Sequence, residues 1–410
     1  MAGTAVTVIV GAGQAGGELA SSLRQLGYAG RIVLIGDEPC LPYRRPPLSK
    51  AYLSGEAPLE SLFFKPQAAY DKHGIECRFG VGVASIDRAA RSLRLHDGTV
   101  LAYDRLALTT GGRPRQLSLP GADGPNVHYV RTLHDIDRLK ARFAAGRRLI
   151  IIGGGYIGLE AASVGVKKGL QVTVVEALPR VLARVTAPEI SAYYERVHRG
   201  RGVDVRTGVG VQALEGGDEV RRVVLADGTA LPADLVVVGI GLIPNTELAE
   251  AAGLEVANGI VVDRHAVTSD PQIVAAGDCT QHENVFLGRR VRLESVPNAL
   301  EQARVAAASI AGKPRVYDAV PWFWSDQYEL KLQMVGLSQG YDTLVVRGDM
   351  AADSFTAFYL KGGVIISADA VNRPQDFMLA KRLVAERAVA EPARLRDDAF
   401  PLKSLLQAAA

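Results

Sequence analysis

The feature that most restricts the fold of this chain is a glycine-rich segment that occurs twice, each time between a predicted strand and a predicted helix. The first copy, Gly-Ala-Gly-Gln-Ala-Gly at residues 11–16, follows an apolar, β-branched run at residues 5–10. The second copy, Gly-Gly-Gly-Tyr-Ile-Gly at residues 153–158, follows a similar run at residues 149–152. Such runs are typical of strands buried on both faces of a parallel sheet. The chain is therefore predicted to contain two strand–turn–helix units of the same type.

An acidic residue follows each unit at a spacing that indicates nucleotide binding. Asp37 follows Gly11, and Glu176 follows Gly153, at a separation of roughly 25 residues. Glycines in such a turn let a pyrophosphate approach the N-terminal amides of the helix, while the acid accepts hydrogen bonds from a ribose. One such motif is weakly specific, but two with the same flanking pattern predict two dinucleotides, which indicates FAD and a nicotinamide cofactor.

Glu176 also bears on which nicotinamide cofactor is used. A carboxylate at this position accepts hydrogen bonds from the ribose hydroxyls of NADH but repels the extra phosphate of NADPH. No arginine directly follows Glu176, and the first one along the chain is Arg180. The predicted cofactors are therefore FAD and NADH. The residues of the two turns predicted to bind them are Gly11, Gly13, Gly16, Gly153, Gly155 and Gly158.

The order of predicted elements indicates an α/β fold in which one nucleotide domain is inserted into another. We predict a Rossmann-like FAD-binding domain over residues 1–120 and 242–316, and a Rossmann-like NAD-binding domain over residues 121–241. From about residue 317, short strands separated by turn residues replace the alternation of strands and helices. Residues 317–410 are therefore predicted to form a C-terminal α+β domain.

Composition and cysteine usage exclude several other classes of protein. The net charge of +3, from 47 basic and 44 acidic residues, is too small for a protein built to bind nucleic acid. No apolar run reaches the length of about 18 residues that a membrane-spanning helix needs. The three cysteines, Cys40, Cys77 and Cys279, form no Cys-x-x-Cys motif, so we expect neither a metal site nor a dithiol relay. Such sparse cysteine usage predicts a location in the reducing cytoplasm.

Several segments resemble those of a known family. They are residues 41–50 (Leu-Pro-Tyr-Arg-Arg-Pro-Pro-Leu-Ser-Lys), 153–160, 238–245, 275–278 and 321–327 (Pro-Trp-Phe-Trp-Ser-Asp-Gln). Together they resemble the two-dinucleotide flavoprotein reductases, and more narrowly the oxygenase-coupled ferredoxin reductases of the putidaredoxin reductase type. One departure is Thr109, where the family usually has alanine before Thr-Gly, and an extra hydroxyl there is not expected to disturb flavin binding.

The resemblance implies roles for residues at matching positions. Lys50 and Glu160 would form a charge pair beside the flavin, where the electrons of NADH arrive. Trp324 would lie on the path by which electrons leave, although a core aromatic is an equally good interpretation of this residue. Further cofactor contacts are implied at Ala15, Asp37, Lys50, Val83, Arg131, Gly241, Asp278 and Val296.

The resemblance also implies an electron acceptor. The region after the first strand–turn–helix unit has Cys40 but no second cysteine with which it could form a dithiol. Electrons would therefore leave through an external one-electron carrier. The resemblance implies that this carrier is a small acidic [2Fe-2S] ferredoxin serving a cytochrome P450 or a ring-hydroxylating oxygenase. An acidic partner needs a basic docking face. The candidate docking residues at matching positions are Lys65, Arg304, Lys381 and Lys403.

Two alternatives stay open at this point. A reductase of the same fold could serve rubredoxin or a quinone-like acceptor, because an acceptor surface is not a sequence motif. A flavoprotein that senses NADH and acts through partner binding, like the apoptosis-inducing factors, belongs to a different functional class. A lone cysteine cycling through a sulfenic acid is disfavoured, because Cys40 lies before the tyrosine and arginine–proline run rather than in a helix that faces the flavin.

Overall fold

The chain forms two compact units in a computed structural model that describes residues 5–407. The first unit comprises the residues up to Arg45 together with Leu59–Arg113 and Ile243–Pro321. The second comprises Pro46–Pro58, Pro114–Leu242 and the residues from Trp322 onward. This division does not test the three predicted domain limits, which stay a prediction.

The helices and strands follow one another in three stretches of the chain. Over residues 5–129 they are β1 (Val6–Val10), α1 (Gln14–Gln25), β2 (Arg31–Gly36), α2 (Gln67–Lys72), β3 (Ile75–Phe79), β4 (Val83–Asp87), β5 (Ser92–Leu95), β6 (Val100–Ala102), β7 (Arg105–Leu108), β8 (Gly112–Pro114) and β9 (Val127–Tyr129). Over residues 133–244 they are α3 (Leu133–Lys140), β10 (Arg148–Ile152), α4 (Tyr156–Lys167), β11 (Gln171–Glu176), α5 (Pro188–Gly200), β12 (Asp204–Thr207), β13 (Val211–Gly216), β14 (Val220–Leu225), β15 (Ala230–Pro232), β16 (Leu235–Val238) and β17 (Leu242–Pro244). Over residues 247–407 they are α6 (Glu247–Ala251), β18 (Val256–Ala257), β19 (Gly259–Val262), β20 (Ile273–Ala275), β21 (Thr280–Asn284), β22 (Arg289–Val291), α7 (Val296–Ile310), β23 (Trp322–Gln327), β24 (Leu330–Gly336), β25 (Thr343–Asp349), β26 (Ser354–Lys361), β27 (Val364–Val371), α8 (Pro374–Ala385), α9 (Pro392–Arg396) and α10 (Ser404–Gln407).

The first unit is built on a parallel sheet with the strand order β20-β7-β1-β2-β3. Its central strand β1 is buried along almost its whole length, as the apolar run at residues 5–10 predicts. Helices α1 and α7 pack on one face of the sheet, where Ile9, Leu19 and Leu34 form part of one apolar core. Because β1 runs directly into the first glycine turn, this packing fixes the position of that turn at the carboxyl end of the sheet.

The second unit repeats this plan and adds an antiparallel sheet. Its parallel sheet has the order β12-β11-β10-β16-β9, and β10 runs into the second glycine turn in the same way. Residues 322–371 form a separate antiparallel sheet with the order β23-β24-β27-β26-β25, on which α8 packs. The predicted fold class, α/β with two Rossmann-like units and a C-terminal α+β part, is confirmed.

The helices of residues 5–407 are too short or too polar to cross a bilayer. The same part of the chain brings together no group of three or more His, Cys, Asp or Glu side chains that could hold a metal ion.

Candidate active site

Two glycines of the first turn are required by the fold itself. Gly11 has a φ of +108°, and a Cβ there would lie 2.2 Å from the carbonyl oxygen of Thr109, the residue that follows the neighbouring strand β7. A Cβ on Gly16 would lie 1.9 Å from the carbonyl oxygen of Gly11. The Thr109 hydroxyl donates to the carbonyl oxygens of Val10 and Gly11, at 3.0 and 2.8 Å. The hydroxyl by which this chain departs from the family that it resembles therefore faces the turn and stabilises it.

Gly13, by contrast, is not required by any protein contact. It is the N-cap of α1, its backbone is extended, and a Cβ there would meet no protein atom within 4 Å. No side chain caps the helix, so its first amides have no partner from the N-cap. Open space beside the positive end of a helix is what a pyrophosphate requires. The first turn therefore fits the predicted FAD.

The turn that carries Asp278 packs against the same helix start. A Cβ on Gly277 would lie 3.2 Å from the Cβ of Ala15, so a small residue at each position permits this approach. The structure thus brings Ala15 and Asp278, two of the predicted cofactor contacts, to one place in the first unit. Of the other predicted contacts in this unit, Val83 is buried at the start of β4 and Val296 begins α7.

Asp37 lies exposed at the end of β2, where its carboxylate accepts a hydrogen bond from the amide of Glu38. The neighbouring Glu38 carboxylate instead accepts from Arg45, at 2.6 Å, and from the hydroxyl of Tyr43, at 2.6 Å. The contact of Asp37 with a ribose stays a prediction. The Glu38–Arg45 pair was missed by the sequence analysis, although both residues lie in or beside the family-like segment 41–50.

The second glycine turn repeats this geometry in the second unit. Gly153 has a φ of +111°, and a Cβ there would lie 2.4 Å from the carbonyl oxygen of Gly239. A Cβ on Gly158 would lie 2.1 Å from the carbonyl oxygen of Gly153, whereas a Cβ on Gly155, the N-cap of α4, meets no protein atom within 4 Å. Gly241 lies in the turn that follows β16 and has a φ of +110°.

Glu176 lies against the second turn, where the predicted ribose would be. Its carboxylate accepts hydrogen bonds from the backbone amides of Gly154, at 2.7 Å, and Leu178, at 2.8 Å. The nearest arginine along the chain, Arg180, donates to the carbonyl oxygens of Thr186 and Ala183 and to a serine hydroxyl. Arg180 is therefore tied to the protein and does not offer its charge to a 2′-phosphate.

Lys50 and Glu160, predicted to pair from sequence positions far apart, meet in the second unit. The Lys50 Nζ lies 2.7 Å from Glu160 Oε2, and the two side chains are 18% and 1% exposed. The hydroxyls of Ser49 and Ser325 each donate to the Glu160 carboxylate at 2.6 Å. Removing one partner of a buried ion pair leaves an uncompensated charge, which typically costs about 3–5 kcal/mol. The contact between the two side chains is thus observed, and their role beside a flavin stays a prediction.

The remaining predicted residues have contrasting surroundings. Trp324 lies half-buried on β23, with its ring centroid 5.6 Å from that of Trp322. Lys381 on α8 places its Nζ 4.7 Å from the Trp322 ring centroid.

Arg304 is paired with the carboxylates of Glu18 and Glu301. The other three predicted residues differ in exposure: Lys65 is half-buried and donates to Ser21, Lys403 is exposed, and Arg131 is half-buried just before α3.

All three cysteines are free thiols, and their surroundings disfavour nucleophilic chemistry. Burial raises the pKa of Cys40 to about 11, with the nearby Glu38 carboxylate adding to the shift. Burial likewise raises the pKa of Cys77 to about 11. Cys279 is fully buried beside the carbonyl oxygens of Leu108 and Ala276. The thiolate is the reactive form, so these residues are poor candidates for a redox relay.

We therefore expect the folded protein to react slowly with iodoacetamide at pH 7.5. A thiol whose pKa is raised to about 11 is a thiolate in fewer than about one molecule in a thousand at that pH, against several per cent for an ordinary cysteine. Mass spectrometry of timed samples should show alkylation that rises steeply between pH 9 and 11. Denatured protein is the control, and alkylation of folded Cys40 at the denatured rate at pH 7.5 would contradict the expectation.

Comparison with known proteins shows similarity along nearly the whole chain. The family model described as pyridine nucleotide-disulphide oxidoreductase matches residues 6–303, and the one described as reductase C-terminal matches residues 322–406. The chain is 50% identical over 408 residues to putidaredoxin reductase of Pseudomonas putida, covering 98% of this chain and 97% of that protein. It is 44% identical over 400 residues to the ferredoxin–NAD(+) reductase component of the anthranilate 1,2-dioxygenase system of Burkholderia cepacia, covering 97% and 98%. Among solved structures, the covalent putidaredoxin reductase–putidaredoxin complex matches with a TM-score of 0.96 and 49% identity, covering 100% of this chain and 99% of that one.

Proposed function

This chain belongs to the pyridine nucleotide-disulphide oxidoreductase family, and we propose that it is an NADH-dependent reductase of a [2Fe-2S] ferredoxin. The observation that carries the proposal is the combination of two glycine turns open to dinucleotides with three cysteines that are all free thiols, of which Cys279 is buried and Cys40 and Cys77 are half-buried. Electrons that enter from NADH have no dithiol to pass through, so they must leave to a separate carrier. Two relatives that match almost end to end are named putidaredoxin reductase and the ferredoxin–NAD(+) reductase component of an anthranilate 1,2-dioxygenase system.

FAD and NADH are the cofactors of this family, and the residues present fit both. FAD, when bound, accepts the two electrons of NADH and passes them on one at a time. In the first unit the open amides of α1, with Asp37, Asp278 and Val296, would hold FAD. In the second unit the amides of α4 and the Glu176 carboxylate would hold NADH.

The remaining chemistry consists of positioning and electrostatics. The Lys50 ammonium is fixed by the Glu160 carboxylate at 2.7 Å and also donates to the carbonyl oxygen of Pro46 at 3.4 Å. A preorganised positive charge stabilises negative charge that develops next to it, and does so most effectively where water is excluded. We assign this role to Lys50, with Glu160 as the residue that holds it. No protein nucleophile or general acid is needed.

The proposed docking residues for an acidic ferredoxin are supported to different degrees. Lys381 lies over the Trp322 ring and Lys403 is exposed, and neither observation speaks against a docking role. The charge of Arg304 is already offset by Glu18 and Glu301, which weakens its case. Trp324, half-buried on the same strand as Trp322, is the proposed exit residue for electrons.

The proposal is tested by NADH-driven reduction of cytochrome c with and without an added acidic [2Fe-2S] ferredoxin. We expect turnover without ferredoxin to be slow and turnover with it to rise at least about tenfold, because docking brings the two redox centres close. Rubredoxin and a small quinone are the matched alternative acceptors. Full-rate turnover without ferredoxin, or equal rates with rubredoxin or quinone, would overturn the assignment in favour of another acceptor.

The NADH-sensing alternative makes an opposite prediction. Such a protein would show slow reduction of its flavin by NADH and a change of association state when NADH binds. Rapid flavin reduction followed by ferredoxin-dependent turnover is the behaviour we expect instead. We also place the reductase in the cytoplasm, on the ground that its cysteines are unpaired.

A further inference from the structure

A continuous chain of hydrogen bonds extends from the buried Glu160 carboxylate to a histidine on α5, away from Lys50. Ser325 Oγ donates to Glu160 Oε1 at 2.6 Å, and Gln327 Nε2 donates to Ser325 Oγ at 3.3 Å. His198 Nε2 lies 2.9 Å from Gln327 Oε1, and its Nδ1 lies 3.0 Å from the hydroxyl of Tyr328. Every member of the chain belongs to the second unit, and none beyond Glu160 has a role in the function proposed above.

Secondary structure places these side chains in line. Ser325 and Gln327 are two residues apart on β23, so they project from the same face of the strand, and both are buried. His198, near the end of α5, is also fully buried. Tyr328 follows β23 directly, in the two-residue turn to β24, with a φ of +56° that is unusual for a tyrosine. Its ring packs against the imidazole of His198, with centroids 5.1 Å apart.

The chemistry of the groups fixes the direction of the chain. An ionised carboxylate only accepts hydrogen bonds, so the single proton of the Ser325 hydroxyl is committed to Glu160. The Gln327 amide must then donate to Ser325, which turns its carbonyl oxygen toward His198. Because a carbonyl oxygen also only accepts, the proton of the imidazole lies on Nε2.

Burial settles the state of the imidazole. It lowers the pKa of His198 to about 4, so the ring is neutral near pH 7 and carries one proton. With that proton on Nε2, the lone pair of Nδ1 is free to accept from the Tyr328 hydroxyl. The charged neighbours of Tyr328, Arg201 over its ring and Glu329 beside it, pair with each other. Each donor from Tyr328 inward therefore points toward Glu160.

We propose that Gln327, His198 and Tyr328 are positioning residues that act through Ser325 to hold the Glu160 carboxylate fixed against Lys50. The inference rests on the proposed function, since that function gives the Lys50 charge its electrostatic role. Hydrogen bonds aligned in one direction polarise and strengthen one another at low dielectric. A buried carboxylate deprived of such donors moves to regain hydrogen bonds. The chain thus keeps the charge of Lys50 compensated and its Nζ in place.

The first test is the tautomer of His198 in the FAD-loaded protein. Nitrogen NMR of protein labelled with ¹⁵N-histidine distinguishes a neutral ring protonated on Nε2 from one protonated on Nδ1 and from an imidazolium. We expect the Nε2-protonated neutral form at pH 7, with the resonance assigned from its loss in His198→Asn. Either of the other two forms overturns the inference.

The second test measures coupling along the chain. In Glu160→Gln, the new amide can donate to Ser325, which frees the serine proton for Gln327 and lets the direction of the chain reverse. We expect His198 to populate the Nδ1-protonated form in this variant, although it does not touch residue 160. The same change made in a Gln327→Met background should leave His198 unaffected. Unchanged His198 signals in Glu160→Gln itself would contradict the inference. The internal control is His128, a buried histidine on β9 whose signals should stay the same in every variant.

The third test is the rate of flavin reduction by NADH in stopped-flow experiments without ferredoxin. We expect Gln327→Met to slow reduction about five- to tenfold, as the loss of one hydrogen bond in a charged network predicts, with the NADH concentration for half-maximal rate unchanged. Tyr194→Phe is the matched control, because this buried tyrosine on α5 has a hydroxyl without a hydrogen-bond partner among residues 5–407. Equal rates for Gln327→Met and Tyr194→Phe overturn the positioning role. This experiment contains no ferredoxin, so its outcome does not depend on the ferredoxin assay. The proposed acceptor and the positioning role of Gln327 can therefore fail separately.

Discussion

Gly13→Ala is expected to give a folded protein that binds FAD about 100-fold more weakly than the unchanged chain. The alanine methyl would meet no protein atom within 4 Å, and the extended backbone at this position suits any residue. Folding should therefore be unaffected. The methyl would instead occupy space beside the first amides of α1, where we place the pyrophosphate. Overpacking of a tight site costs about 1–3 kcal/mol, and the upper value corresponds to the expected loss of affinity.

Two further alanine variants separate this effect from general damage. Gly11→Ala should lower the thermal stability of the apoprotein, because its Cβ would lie 2.2 Å from the Thr109 carbonyl oxygen and the backbone has a φ of +108°. Gly210→Ala, at an open position before β13, should change neither property. Fluorescence titration of apoprotein with FAD and thermal unfolding give the two readouts. If Gly13→Ala retains normal FAD affinity, the placement of the pyrophosphate is wrong.

Glu176→Ala is expected to lower kcat/KM for NADH about 100-fold. A carboxylate that accepts hydrogen bonds from a ribose contributes about 1.5–3 kcal/mol, because the acceptor is charged. The substitution also removes the acceptor of two hydrogen bonds in the second turn, because the same carboxylate accepts from the amides of Gly154 and Leu178. Steady-state rates with ferricyanide as acceptor measure the effect independently of any ferredoxin.

The same variant should gain little activity with NADPH. Removing the negative charge relieves repulsion of the 2′-phosphate, but no positive group replaces it, because Arg180 stays bound to the carbonyl oxygens of Thr186 and Ala183. We expect the NADPH rate to rise by no more than about tenfold. Glu215→Gln, which alters an exposed acid paired with Arg222, is the control. An unchanged ratio of NADH to NADPH activity would show that Glu176 does not contact the ribose.

Much of the cofactor-binding part of the site was predictable because it depends on local backbone chemistry. A glycine with positive φ, a following helix and an acid at the end of the next strand lie within one short stretch of chain, so Gly11 and Gly153 could be recognised from their neighbours alone. The two parallel sheets could be predicted from the buried apolar strands that precede the glycine turns. The roles of individual residues toward FAD, NADH and ferredoxin stay predictions.

The surroundings of Glu160 were not predictable in the same way. The sequence, read with its family resemblance, paired Glu160 with Lys50, but it offered no signal for Ser49 as a donor or for Ser325, which lies 165 positions along the chain. Likewise, the sequence gives no sign that Arg304 pairs with Glu18, which lies 286 positions away, and only the fold brings the two side chains together.

The amino-acid order alone thus determined the two dinucleotide turns, the fold class and the lack of a dithiol, since each depends on residues close in sequence or on simple counting. Tertiary structure decided which charges are compensated, which hydroxyls hold Glu160 and in which direction its hydrogen bonds run. The physical reason is that hydrogen bonds and ion pairs act over a few ångströms, and packing chooses which distant residues come within that range.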